Sequence, residues 1–193
     1  MVYGFGINDV DGKTWTTVGL KKVIDPFYDR WKGMLRRCYS PEFHKKYMSY
    51  NGCKVDDNWR YFSNFKKWMS QCNWQGMHLD KDLIGDGKIY SETNCIFIDP
   101  LVNSFITDRH NHRNPNLPIG VYQIKSGNYK SHINEFDTGK TKYLGVFKTP
   151  EEAFNCWFEN KLVELKKLKG LQGAEHLLSF YERNYQNYLT GKK

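Results

Sequence analysis

Three polar residues in the first half of the chain have types that phosphodiester chemistry uses. Asp80 offers a carboxylate, and Asn94 and Asn103 offer amide oxygens. A divalent cation for phosphodiester cleavage needs a few hard oxygen ligands and leaves positions open for phosphate and water. Each residue also has a plain structural interpretation: Asp80 can be a turn carboxylate, Asn94 a turn cap and Asn103 a helix cap. Their joint spacing keeps both interpretations open.

The elements that would position these residues can be read from the hydrophobic pattern. Bulky residues recur every three or four positions in two segments, which predicts helices with one apolar face. Short apolar runs around a Gly-Asp-Gly turn predict two strands, and Pro100 then marks the start of a short helix. The predicted elements are helices at 27–39 and 56–71, strands at 53–55, 77–83 and 94–98, and a short helix after Pro100.

The second half of the chain predicts three strands followed by a helix. Two glycine turns separate the strands, and Thr149-Pro150-Glu151-Glu152 has the cap, the proline and the acids of a helix start. In the middle strand, alternation places Lys130, His132 and Asn134 on one face and the residues between them on the other. The predicted elements are strands at 119–125, 128–136 and 142–147, a helix from Thr149 to Gly170, and a last helix from Gln172 to Tyr188.

Composition limits the classes of protein to which the chain can belong. Aromatic residues make up 16% of it, which predicts a folded protein. A net charge of +8 suits an anionic partner such as nucleic acid. The five cysteines form no C-x-x-C pair, so we expect neither zinc nor a disulfide framework. No apolar run approaches the length of a membrane span and no export signal is evident, so we expect a cytoplasmic protein without a membrane partner.

The first half resembles the ββα-metal fold of HNH nucleases, in particular the phage and homing-endonuclease branch. The resemblance is carried by Leu79-Asp80-Lys81-Asp82, by Tyr90 to Cys95 and by Val102-Asn103. Upstream, the spacings of Trp31, Met34, Arg37 and Tyr39, and of Trp59, Phe62 and Phe65, also resemble phage proteins of this class. By this resemblance Asp80 and Asn103 would hold Mg²⁺ or Mn²⁺, and Asn94 would brace the loop through backbone hydrogen bonds.

The chain departs from the HNH pattern at the position of the general base. Lys81 stands where the family has a histidine, and its ordinary pKa of about 10.4 leaves it protonated, so it cannot accept a proton. Lys81 could instead hold a phosphate. His78 lies two residues before Asp80 and would share its strand face, which makes it either a displaced base or an ordinary strand histidine. The candidate catalytic residues are Asp80, Lys81, Asn94 and His78.

The second half resembles the Apetala-type (ethylene-response-factor) DNA-binding domain. The resemblance is carried by Gly120-Val121, Tyr129 with Ile133, Leu144-Gly145-x-Phe147, and Thr149-x-Glu151-Glu152-Ala153. It implies that a narrow antiparallel sheet enters the major groove of duplex DNA. Tyr122 and Tyr129 replace the arginine and the tryptophan of the family, so a sequence preference cannot be transferred.

Together these features predict an α+β chain of two small domains, an HNH-like module with flanking helices and a three-stranded sheet packed on a helix. The expected boundaries are an irregular or short-strand lead-in at 1–26, the module at 27–108, a basic linker at 109–116, the sheet domain at 117–170 and a C-terminal helix at 171–193. The expected contacts to double-stranded DNA are Arg36, Arg37, Lys81, Arg109, Arg113, Tyr122, Lys125, Lys130, His132, Asn134 and Lys142.

Three functions remain open from the sequence. In the first, a phage protein in the host cytoplasm nicks or cuts duplex DNA with a metal ion. In the second, the nuclease frame is inactive and the protein is a DNA-binding regulator or a packaging accessory. In the third, the folds serve RNA binding or protein interaction. The sequence leaves the oligomeric state and the target site open.

Overall fold

The computed structural model describes residues 1–106 and 116–190. The chain divides into two compact units, 1–100 and 101–193, and both mix helices with short sheets, so the predicted α+β class is confirmed. The first unit contains β1 (Trp15–Val18), β2 (Lys21–Ile24), α1 (Pro26–Tyr39), α2 (Pro41–Lys46), β3 (Lys54–Val55), α3 (Phe62–Ser70), β4 (His78–Asp80), β5 (Ile89–Tyr90) and β6 (Ile96–Ile98), with 3-10 turns at Met48–Tyr50 and Asp57–Arg60. The second contains α4 (Pro100–Ile106), which starts at the boundary, β7 (Val121–Gln123), β8 (Tyr129–Asn134), β9 (Thr141–Phe147), α5 (Pro150–Lys166), a 3-10 turn at Ala174–His176 and α6 (Leu177–Thr190).

The core of the first unit is built around α1 and α3. The side chain of Asp25 accepts a hydrogen bond from the backbone N–H of Phe27, and Pro26 occupies the first turn, which fixes the start of α1. The indole N–H of Trp31 donates to the carbonyl of Trp59 at 2.8 Å, which ties α1 to the segment before α3. The buried residues of these segments form one aromatic-rich cluster: Trp31, Met34, Leu35, Cys38, Trp59, Phe62, Phe65 and Met69.

The single helix predicted at 56–71 is wrong, because the segment is a 3-10 turn followed by α3. The carboxylate of Asp56 caps the 3-10 turn by accepting from the N–H of Asn58. The N-terminal segment then interrupts the helix, since the backbone N–H of Ile7 donates to the carbonyl of Arg60 and the N–H of Phe62 donates to the carbonyl of Ile7. A strand-like bridge therefore replaces the helical hydrogen bonds at this point.

Residues 1–26, expected as a lead-in, belong to the first unit and include a β-hairpin. Gly6 packs directly on α1: a Cβ added there would lie 2.3 Å from Leu35 Cδ1. The sequence predicts either irregular structure or short strands in this segment. The structure has two short strands, β1 and β2, which pair with each other.

The expected strand at 77–83 is shorter in the structure. It ends at Asp80 as β4, because the Asp80 carboxylate accepts the backbone N–H groups of Asp82 and Leu83 and turns the chain there. Strand β4 pairs antiparallel with β6, so that Asp80 lies opposite Ile96, while β3 pairs parallel with β5. Helix α4 follows β6 in the chain, which gives the element order strand, strand, helix.

The second unit is a three-stranded antiparallel sheet of order β7-β8-β9 packed on α5. A capping box at Thr149 starts α5, as its sequence predicts. Gly120 lies against the helix, because a Cβ added there would come within 2.1 Å of Trp157 Cδ1. Helix α4 joins this unit: the hydroxyl of Tyr181 on α6 donates to the carbonyl of Phe105 at 2.6 Å. The chain thus divides at 100/101, and the linker expected at 109–116 lies, except for Asn116, outside the described residues.

None of the helices within 1–106 and 116–190 combines the length and the apolarity that crossing a bilayer requires.

Candidate functional site

Asp80 is a buried carboxylate at the start of a tight loop. The residue is 6% exposed. Its Oδ1 accepts hydrogen bonds from the backbone N–H groups of Asp82 at 2.9 Å and Leu83 at 2.7 Å. Burial, and then the nearby charge of Asp82, raise the pKa of Asp80 to about 6, although the two backbone hydrogen bonds act in the opposite direction. One carboxylate oxygen thus shapes the loop, and Oδ2 takes part in neither of these bonds.

Lys81 is also buried, and its ammonium group is used inside the loop. Lys81 Nζ donates to Asp82 Oδ1 at 2.8 Å and to the carbonyl of Gly87 at 2.6 Å. It also lies 5.5 Å from the ring centre of Tyr50 and 5.6 Å from that of Tyr90. Burial alone would lower the pKa of Lys81, but the charge and hydrogen bond of Asp82 outweigh it and raise the pKa above its usual value. The group is therefore a protonated donor within the fold, with little surface for a phosphate.

The loop between β4 and β6 depends on glycines and on Asn94. A Cβ at Gly85 would lie 2.6 Å from the carbonyl oxygen of Lys81 and 2.9 Å from Asn94 Cβ. A Cβ at Gly87, where φ is +74°, would lie 2.7 Å from Asp82 Oδ1. Asn94 Nδ2 donates to the carbonyl of Ile89 at 3.4 Å, and its backbone N–H donates to Ser91 Oγ. These contacts fix the loop that carries Lys81.

The first unit also contains the candidate residues His78, Arg36 and Arg37. His78 is exposed at the start of β4, whereas Asp80 at its end is buried. Arg36 is exposed over the ring of Phe43, and the half-buried guanidinium of Arg37 lies 5.6 Å from the ring centre of Tyr90.

Asn103 lies half-buried on α4, in the second unit, so its pairing with Asp80 stays a prediction. The donor chemistry suits Mg²⁺ or Mn²⁺, since Asp80 Oδ2 and the Asn103 amide are hard oxygen donors. Within the described ranges no three His, Cys, Asp or Glu side chains are grouped to hold a metal.

In the second unit, one face of the sheet is covered by α5 and the other carries polar and aromatic side chains. Val121, Ser131 and Ile133 are buried on the helix side. We call the opposite surface the open face; it consists of Tyr122, Lys130, His132, Asn134, Tyr143 and Val146.

His132 lies at the centre of the open face, between aromatic rings of the two outer strands. Its ring centre is 5.7 Å from that of Tyr122 and 5.5 Å from that of Tyr143. Lys130 Nζ lies 6.0 Å from the ring centre of Tyr122. Burial, and then the charge of Lys130, lower the pKa of His132, so the imidazole is neutral at pH 7 and can both donate and accept a hydrogen bond. At the edge, Thr141 Oγ1 donates to Asn134 Oδ1 at 2.9 Å.

Two members of the open face, Tyr143 and Val146, were not among the residues expected from the sequence. They are separated by three positions, so strict alternation puts them on opposite faces. The register instead shifts between Ser131 and His132: Ser131 pairs with Gly145 and His132 pairs with Tyr143. A glycine inside a strand is a known sign of such a bulge, and Gly145 was the signal that could have revealed them.

The other expected contacts of this unit lie away from the centre of the open face. Lys125 is exposed in the turn between β7 and β8. Lys142 is exposed but pairs with Ile133, so it belongs to the helix side. Burial, and then the charge of Glu159, raise the pKa of Cys156 on α5, and the charge of Lys142 acts in the opposite direction. Arg109 and Arg113 lie outside the described residues.

Comparison of the chain with family models, with curated proteins and with solved structures finds no match. Its function is therefore inferred from its own residues and from the geometry of each unit.

Proposed function

We propose that the chain binds duplex DNA through the open face of its three-stranded sheet. The observation that carries this proposal is the row of Tyr122, His132 and Tyr143 across the three strands, with Lys130 beside it. The solvated face of an antiparallel sheet commonly carries polar residues. Here it offers a cation, a neutral imidazole, an amide and two phenols, all of which can hydrogen bond to phosphates or base edges.

The narrow antiparallel sheet and the positive net charge of the protein favour duplex DNA as the ligand. The major groove is about 12 Å wide and admits a narrow antiparallel ribbon, whose side chains then meet base edges. The rigid backing by α5, with Trp157 packed against Gly120, holds the open face in one shape. The net charge of +8 adds a sequence-independent attraction to the phosphates.

The loop between β4 and β6, which carries Lys81, resembles the HNH pattern. We propose that this loop has a structural role in a DNA-binding protein and does not cleave DNA. Lys81 stands at the position of the expected base, but its protonated ammonium is bonded to Asp82 and to the Gly87 carbonyl. General-base catalysis typically contributes about 10² to 10⁴ in rate, and a buried ammonium cannot supply it. Asp80 and Asn103 would be the residues that hold Mg²⁺ or Mn²⁺, which would supply Lewis-acid stabilisation at a phosphate. This proposal corresponds to a DNA-binding regulator or accessory.

A fluorescence-anisotropy titration tests the binding proposal. The probes are a labelled duplex, the single strand of the same sequence, and an RNA hairpin. We expect the duplex to bind best, and Lys130→Ala combined with His132→Ala to weaken duplex binding by about tenfold or more. Lys166→Ala with His176→Ala is the matched control, because it removes the same residue types from α5 and the turn after it.

Two results would contradict the proposal. The first is a duplex affinity that is the same in the open-face variant and in the control. The second is tighter binding of the RNA hairpin, which would favour the RNA-binding alternative.

A plasmid-nicking assay with Mg²⁺ and with Mn²⁺ addresses cleavage separately. We expect the wild-type chain and Asp80→Asn to give the same background of nicked product. Nicking by the wild type that Asp80→Asn abolishes would establish the enzyme alternative and refute the structural role of the loop.

A further inference from the structure

The β1–β2 hairpin of the first unit projects side chains that the unit does not bury. Its two strands pair with each other and with no other strand of the described residues. All of β2 and all of β1 except the half-buried Trp15 are exposed, and Leu20 at the tip is fully exposed. Val18 is 63% exposed, well beyond what a strand that packs on a core retains. The hairpin therefore contributes little to the core and calls for another explanation.

The charge of the hairpin is uniformly positive. Between residues 13 and 24 the chain carries Lys13, Lys21 and Lys22 and no acidic residue. The ammonium groups of Lys13 and Lys22 lie 5.0 Å and 4.4 Å from the ring centre of Trp15, which positions them near the base of the hairpin while both residues stay exposed. A surface of this kind complements an anion.

The register shows what each face of the hairpin presents. Trp15 lies opposite Ile24 and Thr17 opposite Lys22 on one face, and Thr16 opposite Val23 and Val18 opposite Lys21 on the other. Each face thus holds one strand lysine, one threonine and two apolar residues. The two-residue loop has glycine first, Gly19 with φ +62°, as in the type II′ turns that join closely paired strands.

This arrangement favours nucleic acid over the other surfaces that a basic hairpin can bind. A membrane-surface element keeps its apolar residues on one side, whereas here they are divided between both faces. A second copy of the same hairpin would bring six lysines together and be repelled. A two-stranded ribbon with lysines and threonines on both faces matches a groove with a phosphate wall on each side, and the major groove is wide enough to admit it.

We propose that residues 13–24 form a basic ribbon that enters a groove of duplex DNA, with Lys21 and Lys22 contacting phosphates of its two walls. The ribbon rests on the proposed function, because it is a second contact to the same duplex. It extends that function by adding a DNA-binding element in the first unit, separate from the open face of the second.

The test is a salt series of duplex affinity, measured by fluorescence anisotropy on the full chain. The variant is Lys21→Ala with Lys22→Ala, whose side chains are exposed, so the fold should be unaffected. Each lost phosphate contact lowers the slope of log affinity against log salt by about 0.9, so we expect a decrease of about 1.8. At about 0.1 M salt this corresponds to a loss of about 10-fold to 60-fold in affinity. The matched control is Lys166→Ala with Lys169→Ala, which removes the same charge from the end of α5 and the residues after it.

The outcomes separate the ribbon from the open face. A reduced slope for Lys21→Ala with Lys22→Ala, and a slope close to wild type for the control, supports the ribbon. Equal slopes for the two variants overturn it, whether both match the wild type or both fall. If the ribbon variant keeps duplex affinity but loses binding to vesicles of phosphatidylserine and phosphatidylcholine, the ribbon is a membrane contact and the proposal is wrong. Failure of the wild-type chain to bind any duplex refutes the proposed function itself.

Discussion

Replacing Lys81 with methionine removes an ammonium group while keeping most of its apolar side chain in place. The structure assigns that group two hydrogen bonds, to Asp82 Oδ1 at 2.8 Å and to the Gly87 carbonyl at 2.6 Å. A hydrogen bond from a charged donor contributes about 1.5–3 kcal/mol, and the Gly87 carbonyl would lose its partner. The bond to Asp82 counts for less, because the Asp82 side chain is 45% exposed and water screens the pair.

We therefore expect Lys81→Met to lower the free energy of unfolding by about 2–3 kcal/mol. With a urea dependence of about 2 kcal/mol per molar, the midpoint of the affected transition should fall by about 1 M. Circular dichroism and tryptophan fluorescence follow the unfolding of the full chain. Lys88→Met is the control: it lies exposed in the same loop and should change stability by less than about 0.5 kcal/mol. If Lys81→Met is as stable as Lys88→Met, then Lys81 does not hold the loop, and the structural role assigned to it is wrong.

Two further predictions concern the packing of each unit. Gly120→Ala should destabilise the second unit by about 2–4 kcal/mol, because the added Cβ would overlap Trp157 and because the backbone at residue 120 has a φ of +74°. A urea unfolding curve that matches that of the wild type would contradict this prediction. Burial raises the pKa of Cys95 to about 12, so at pH 8 only about one thiol in ten thousand is ionised, and the fraction grows tenfold with each pH unit. Iodoacetamide should accordingly modify the half-buried Cys72 well before Cys95 in the native protein, as followed by mass spectrometry, and equal rates would contradict the buried position of Cys95.

Local signals in the sequence were enough to predict several elements. Asp25-Pro26 fixes the start of α1 through a side-chain cap and a proline, and Thr149-Pro150 does the same for α5. Alternation in the middle strand places Lys130, His132 and Asn134 opposite the helix-covered face, because a strand has only two faces. Each of these predictions depends on neighbours in sequence, and the structure agrees with each.

Features that depend on distant contacts were not predictable in the same way. The break before α3 comes from backbone bonds to Ile7, more than fifty residues earlier in the chain. The burial of Lys81 depends on how the Gly85-to-Gly87 segment folds back over it, which no local pattern records. Tyr143 shares the open face with Val146 only because the register shifts between Gly145 and Tyr143. The sequence therefore shows which residue types are present, but it does not show the positions that depend on distant contacts, such as the burial of Lys81 and the face on which Tyr143 lies.

Photo-cross-linking tests most directly the claim that the open face contacts duplex DNA. A photoreactive benzoylphenylalanine is placed at Tyr143, which is 57% exposed beside His132, or at Val163, which is 54% exposed on α5. We expect a labelled duplex to become linked to position 143, unlabelled duplex to suppress this product, and position 163 to give little cross-linked product. Linkage at position 163 equal to or greater than that at position 143, or no linkage at 143 when the duplex is bound, would contradict this claim.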